Sequence, residues 1–391
     1  MSRLQFVTAG ESHGPELTVV LRGVPAGLRL DREAIAREMR RRQRGYGRGG
    51  RMGIERDEAE VTSGVRGGET IGSPITLKIR NRDFENWRAA MDPWDVDPAE
   101  AEKRRLHAPR PGHADLPGGI KLARTDLRDA LERASARETA ARVAAGAVAR
   151  QFLAALGIEI RSGVLSIGEI GDPDRDVTWQ DLAAVDEESE LRPIDPAFEE
   201  KMIARIDAAR REGDTLGGTM IVAAHGVPPG LGSFAQWDEK LDGRIGGVLM
   251  SIPAVKGVAI GLGFAAARRP GSEVHDPIAT DLRRTSNRAG GLEGGVTNGE
   301  DVVARVAMKP ISTLRRGLPS VDLDTGEPHR SQWERSDVTA VPACAVVCEA
   351  MLALVLADAA REKFGGDSMD EVLRNYRGYL EQVSLYARRG R

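Results

Sequence analysis

Residues 128–156 read RDALERASARETAARVAAGAVARQFLAAL, a helical and very Ala-rich stretch. Ala144, Ala145, Gly146, Ala147, Ala154 and Ala155 are all small, so a second helix can approach closely. A partner of the same kind is expected from about Ala343 to Lys363. Each stretch has an Arg-containing motif near its start, Arg133-Ala134-Ser135 in one and Arg335-Ser336-Asp337 in the other. That echo predicts an internal duplication. A helix that is apolar on most faces belongs in a buried central layer.

Around these helices the chain alternates. Leu4 to Ala9 and Leu17 to Leu21 read as short buried strands joined by the turn Gly10-Glu11-Ser12-His13-Gly14-Pro15. Asp31 is an N-cap for a helix to about Arg42, which runs into the glycine-rich loop 45–51. Glu60 to Ser63, Pro74 to Ile79, Gly217 to Ala224 and Val302 to Met308 are further strands, and Pro196 to Arg211 and Asp238 to Ile252 further helices. Residues 81–122 and 281–300 are expected to be irregular; a long loop holding Arg110-Pro111-Gly112-His113-Ala114-Asp115 suits function. No linker splits the chain, so residues 1–391 read as one domain.

Composition narrows the function. The 41% hydrophobic and 29% charged residues suit a globular enzyme. The net charge of −3, from 56 basic and 59 acidic residues, argues against a general nucleic-acid binder. The N-terminus lacks the basic-then-apolar order of a signal peptide, and no stretch reaches about 18 uncharged apolar residues. A cytoplasmic protein is expected, with no membrane partner. Cys344 and Cys348, four apart, read as two buried thiols on one helix face.

His13 and His113 both sit at glycine turns, well placed to face a cleft, and imidazole exchanges protons near neutrality. His107, His225, His275 and His329 carry no such signal. Arg40, Arg41, Arg42, Arg44, Arg48 and Arg51 fall within twelve residues. They read as a solvated helix face, as an anion pocket, or as an RNA-binding Arg-Gly loop; guanidinium groups fork onto phosphate or carboxylate. The segment 261–266 fits a loose dinucleotide pattern, but Arg268-Arg269-Pro270-Gly271 breaks the helix that pattern requires. No metal site is assigned: His107 and His113 lack an obvious third ligand. The residues thus point to an enzyme acting on a polyanion, without naming its reaction.

Several motifs together resemble the chorismate synthase family. Gly10-Glu11-Ser12-His13-Gly14, Glu132-Arg133-Ala134-Ser135-Ala136-Arg137-Glu138-Thr139, and Arg335-Ser336-Asp337-Val338 running on to Glu349-Ala350-Met351 look like its three signatures. Between them, in the family's order, stand Arg110 to Asp115, Ala254 to Val258, Asn287 to Gly291 and Lys309 to Thr313. Pro253 departs from members that carry Asn there, which limits any backbone contact to its carbonyl.

The resemblance implies an α+β fold, a β-α-β sandwich with central helices between two antiparallel sheets and an internal pseudo-repeat. It implies a carbon–oxygen lyase that eliminates phosphate from 5-enolpyruvylshikimate 3-phosphate, 1,4-anti, to give chorismate on the shikimate route to aromatic amino acids. It implies reduced FMN as a required cofactor, NADPH or a separate flavin reductase as electron source, and a homotetramer. By the same resemblance His13 protonates or hydrogen-bonds the departing phosphate, His113 balances protons on the flavin, and Asp337 orients or deprotonates it. Arg42, Arg48, Arg51, Arg110 and Arg137 would meet the substrate, whose charge is about −4. Arg133, Ala134, Ser135, Pro253, Ala254, Gly294, Lys309, Pro310, Ile311, Ser312, Thr313 and Arg335 would hold the cofactor, and Arg42 and Arg48 also match NADPH-linked positions. Two other readings stay open: a flavin or NADPH oxidoreductase, which would consume NADPH in proportion to product, and an RNA-binding protein, whose affinity would be salt-sensitive.

Overall fold

The computed structural model describes residues 4–49, 56–334 and 337–388. Its main elements form two series of the same order. The first is β1 (Gln5–Ala9), β2 (Glu16–Arg22), α1 (Arg32–Gln43), β3 (Ala59–Ser63), β4 (Ile75–Arg80) and α2 (Thr139–Ala154). The second is β5 (Glu159–Ile167), β6 (Gly218–His225), α3 (Leu241–Met250), β7 (Val255–Ile260), β8 (Val302–Met308) and α4 (Val341–Phe364). The strand order is β1-β2-β4-β3 in one sheet and β5-β6-β8-β7 in the other, all antiparallel. A two-residue strand, Ile170–Gly171, extends the second sheet beyond β5. Even the irregularities correspond: the register shifts at Val61/Ser63 in β3 and at Val255/Gly257 in β7. The duplication heard faintly in two Arg motifs is thus a repeat of the whole β-β-α-β-β-α unit.

The sheets form the outer layers and the helices the filling. In β2 and β4, Leu17, Val19, Leu21, Ile75, Leu77 and Ile79 all have 0% exposure and alternate with more exposed residues, so one face of this sheet is buried. α2 packs on that face, while α4 lies against α2 and under β5 and β6. In α4, 21 of 24 residues are buried, which is why its sequence shows no polar stripe. By length and composition α4 could cross a membrane, but 94% of that apolar window is buried within the fold. β6 is buried on both faces because Leu182, Val185 and Ile194 cover its outer side.

Two expectations are corrected. Residues 128–156 form two helices, Arg128–Ala134 and α2, separated by a 3-10 turn at Ala136–Glu138. Ser135 caps that turn by accepting from the Arg137 N–H, and the break turns the Arg137 side chain inward to Asp57. The segment 81–122 holds helices at Arg88–Met91, Pro98–Arg104 and Asp115–Leu122. Strand β5 and the C-terminal helix Met369–Arg388, docked through Tyr376 and Tyr379 on Phe364, have no counterpart in the sequence reading.

Two contacts hold the central layer. Gly146 of α2 faces Ala350 of α4 so closely that a Cβ would lie 2.4 Å from the Ala350 Cβ and 2.6 Å from its Cα. One position away stands Glu349, with 0% exposure. It accepts from Arg41 of α1 at 2.6 and 2.9 Å, from Ser162 of β5 at 2.6 Å and from Arg192 at 3.2 Å, and is also bonded by Arg150 of α2. Burial pushes the Glu349 carboxyl up, but Arg41, Arg150 and Arg192 more than offset this and hold it well below the ordinary carboxylate range.

Replacing Gly146 with Ala should lower stability by about 1–3 kcal/mol through overpacking, outweighing the roughly 1 kcal/mol that Ala gains in helix propensity. A denaturant midpoint unchanged or raised would contradict the close approach. The ionised Glu349 stabilises the fold above about pH 4.3, and that contribution is lost as pH falls towards the folded value. Glu349→Gln should cost about 3–5 kcal/mol at pH 7 and flatten the acid limb of stability against pH. Unfolding curves that keep the wild-type acid limb would rule this out.

Candidate active site

One cavity of about 1140 Å³ opens where the two halves meet. Both central helices enter it by their N-terminal ends, α2 through Thr139 with Ala136 of the preceding turn, and α4 through Ala343 and Cys344 with its cap residue Ala340. Their dipoles therefore favour negative charge there. Among the lining residues, Lys and Arg outnumber carboxylates by ten to three.

His13 sits on the β1–β2 turn, 8% exposed. Glu132 of the helix Arg128–Ala134 lies 2.8 Å from its Nδ1 and accepts its backbone N–H at 2.7 Å. Trp87 stacks on the imidazole at 3.8 Å between centroids. Arg104 lies over the Trp87 ring at 3.9 Å and Arg128 at 5.0 Å. Burial pushes the Glu132 carboxyl up, but its bonds to His13 and the nearby Arg128 win and hold it below its ordinary value.

His113 has a similar partner. Its Nδ1 lies against the buried Asp115 carboxylate, with Nη2 of Arg110 3.0 Å away. Arg110 is 6% exposed and donates to Asp115 at 2.8 and 2.9 Å and to Thr313 at 2.8 Å. Burial alone would raise Asp115, yet Arg110 and His113 hold it far below the carboxylate range. The Arg110 charge is thus largely met by protein, and its clearest task is to fix the 110–115 turn.

The Arg cluster of the sequence divides in three directions. Arg40 and Arg44 form ion pairs on the surface, and Arg41 serves the Glu349 network. Arg42 and Arg48 turn into the cavity. Asp57 holds Arg42 at 3.2 Å and Arg137 at 2.6 Å, and Asn81 accepts from Arg137 at 2.9 Å. Arg48 pairs with Asp337 at 3.1 Å, and Asp337 accepts the Gly49 N–H at 2.6 Å. Burial lowers the Arg42 guanidinium to about 10, with Asp57 opposing and Arg137 and Arg48 adding to the fall. The cations crowd one another, a situation that a bound anion relieves.

The remaining wall is apolar with a polar edge. Ile252, Pro253, Ala254, Val255, Met308 and Ile311 line it. Ala254 has φ of +69°, left-handed for a residue with a Cβ, and its carbonyl accepts the Lys309 N–H at 2.9 Å. Lys309 and Ser312 both bond the Gly112 carbonyl, tying this edge to the His113 turn. Burial lowers the Lys309 ammonium, and Lys256 nearby adds to it.

Of the residues expected from the sequence, the cavity gathers His13, His113, Asp337, Arg42, Arg48, Arg110, Arg137, Ala134, Ser135, Pro253, Ala254, Lys309, Ile311, Ser312 and Thr313. It does not gather three others. Arg133 points away, donating to the Thr8 and Gly10 carbonyls at 2.9 and 3.1 Å to brace β1. Gly294 sits at the tip of the hairpin Leu292–Thr297 with open space around it, and Pro310 is exposed. Arg51 and Arg335 lie outside the described residues. Trp87, Arg104, Arg128, Asp57, Asp115 and Glu132 were missed. Asp115 and Glu132 stood within quoted motifs, but nothing local marks them as partners of a His.

A model of the chorismate synthase family matches residues 4–360. The chorismate synthase of Geobacter sulfurreducens is 56% identical over 394 residues, covering 98% of this chain and 100% of that one. That of Aquifex aeolicus is 53% identical over 98% of this chain and 99% of its own. A solved structure, described as the crystal structure of chorismate synthase, superposes with a TM-score of 0.78 at 46% identity, covering 98% of this chain and 99% of that one. Motifs, topology and relatives agree, and the chain belongs to the chorismate synthase family.

Proposed function

We propose that this cavity carries out the family's reaction, the 1,4-anti elimination of phosphate from 5-enolpyruvylshikimate 3-phosphate to give chorismate, with reduced FMN bound beside the substrate. The observation that carries the reading is a single cationic cavity that holds His13, His113 and Asp337 together. Its volume of about 1140 Å³ exceeds the roughly 300–1,000 Å³ typical of a site for one small ligand. That leaves room for a substrate and a cofactor side by side.

The wall suits a flavin. Ile252, Val255, Met308, Ile311 and Val347 offer an apolar surface for a flat ring system. Lys309, Ser312, Thr313 and Ser135 offer a cation and hydroxyls for a phosphate, with Ala134, Pro253 and Ala254 completing the cradle. Arg133, Gly294 and Pro310 are left out of this set. When bound, reduced FMN supplies electron density to the breaking C–O bond. Arg335 is retained as a proposed cofactor contact by resemblance alone.

The chain's own groups divide the rest of the work. Arg42, Arg48 and Arg137 bind the substrate's carboxylates and phosphate, and Arg51 joins them by resemblance. Charges positioned around a leaving phosphate lower the barrier by about 3 kcal/mol per well-placed donor. His13 donates a proton or hydrogen bond to the departing phosphate. His113, fixed by Asp115, holds a proton near the flavin, and Asp337, paired with Arg48, orients the flavin edge. The same reading carries one domain over residues 1–391, a cytoplasmic homotetramer, and electrons from NADPH or from a separate flavin reductase.

His13→Ala should lower turnover about 10²- to 10⁴-fold and leave FMN affinity near wild type. Turnover that stays at the wild-type level removes His13 from the chemistry. Arg48→Ala should raise KM for the substrate; a change confined to FMN affinity would move Arg48 to the cofactor side.

A further inference from the structure

We infer that Glu132 is the positioning residue that sets His13 for proton transfer, an inference that rests on reading His13 as the group that meets the departing phosphate. One carboxylate makes two bonds to residue 13. Its Oε2 accepts the backbone N–H at 2.7 Å and its Oε1 lies 2.8 Å from Nδ1. The Ser12 N–H adds a third link, donating to the Glu132 carbonyl at 3.0 Å. The turn between β1 and β2 thus hangs from the helix Arg128–Ala134 and not from its own strands alone. A carboxylate that accepts from Nδ1 makes that nitrogen the donor. Nε2 then becomes the nitrogen that can serve the cavity, which His13 lines.

The surroundings fix the ring as well as the proton. Trp87 covers one imidazole face at 3.8 Å, and Arg104 lies over the same indole. Trp87 is itself held by Asp83, which accepts from Nε1 at 3.2 Å. Glu132 is 2% exposed and Arg128 lies 3.2 Å from it, so its charge is retained in a dry setting. Among the described residues, the charged groups near His13 include Glu132 and Arg128 on one helix, Arg104 and Asp83 around Trp87, and Glu11 in its own turn. Glu132 bonds both the ring and the backbone of His13.

The test compares wild type, E132A, E132Q, H13A and E132A/H13A in anaerobic turnover with reduced FMN across pH, with FMN binding and thermal unfolding alongside. E132A should lower kcat about 10- to 100-fold while KM and FMN affinity hold. E132Q keeps an acceptor for the Nδ1 proton, so it should recover much of the kcat that E132A loses. E132A should add little to H13A, because both changes remove one device. Wild-type kcat and pH profile in E132A, or effects that multiply in the double variant, would overturn the inference while a crippled H13A left the acid reading standing. An H13A enzyme as fast as wild type would remove the acid reading itself. Should the Glu132 variants fail to fold, ¹⁵N shifts of His13 in the wild-type enzyme decide. A protonated Nδ1 supports the inference, and a neutral ring protonated at Nε2 overturns it.

Discussion

The structure depends on how closely α2 and α4 approach. With Gly146 against Ala350, the two helices share one thin layer, and a sheet can close over each side. A thicker contact would part the halves and separate the loops that meet at the cavity. The buried Glu349 sits beside that contact and draws Arg41, Arg150, Arg192 and Ser162 to it from four different segments. Packing sets the distance, and the charge network sets which segments converge.

Duplication then explains where the site lies. In each half, the second long helix follows the four repeated strands and starts at the same rim. The repeat thus brings two helix N-termini and two strand-end turns to a single opening. The halves have since specialised. The first supplies His13, His113 and most of the guanidinium groups, and the second supplies the apolar wall, the 309–313 edge and Asp337. A second row of buried carboxylates, Asp57, Asp115 and Glu132, holds the cations and imidazoles in place without lining the cavity. That row keeps the opening positive while leaving few groups free to wander.

Much of this was legible in the sequence. The small-residue runs announced the central helices, and ordered glycine and Arg motifs announced the site. What stayed hidden has physical causes. Strand β5 carries Ser162 and Gly163 where a strand pattern expects bulky residues; Ser162 bonds Glu349, and a Cβ on Gly163 would lie 2.3 Å from Ile194. Residues 128–156 looked like one continuous helix because Ser135 and Arg137 are ordinary helix residues, and only the Arg137 partners Asp57 and Asn81, distant in sequence, show why the chain breaks there. Glu132 lies 119 residues from His13, so no local pattern could pair them. Arg133 was carried over from a motif and Gly294 from the family's flavin contacts; in this chain Arg133 bonds the Thr8 and Gly10 carbonyls and Gly294 sits at a hairpin tip outside the cavity lining.

The central claim is that one cationic cavity eliminates phosphate with the help of a reduced flavin. Anaerobic turnover of 5-enolpyruvylshikimate 3-phosphate with dithionite-reduced FMN, following phosphate and chorismate together, tests it most directly. The account predicts equal release of both products, dependent on reduced flavin and without net consumption of reductant. Folded, FMN-binding protein that releases neither product, or that consumes reductant in proportion to product, would contradict it.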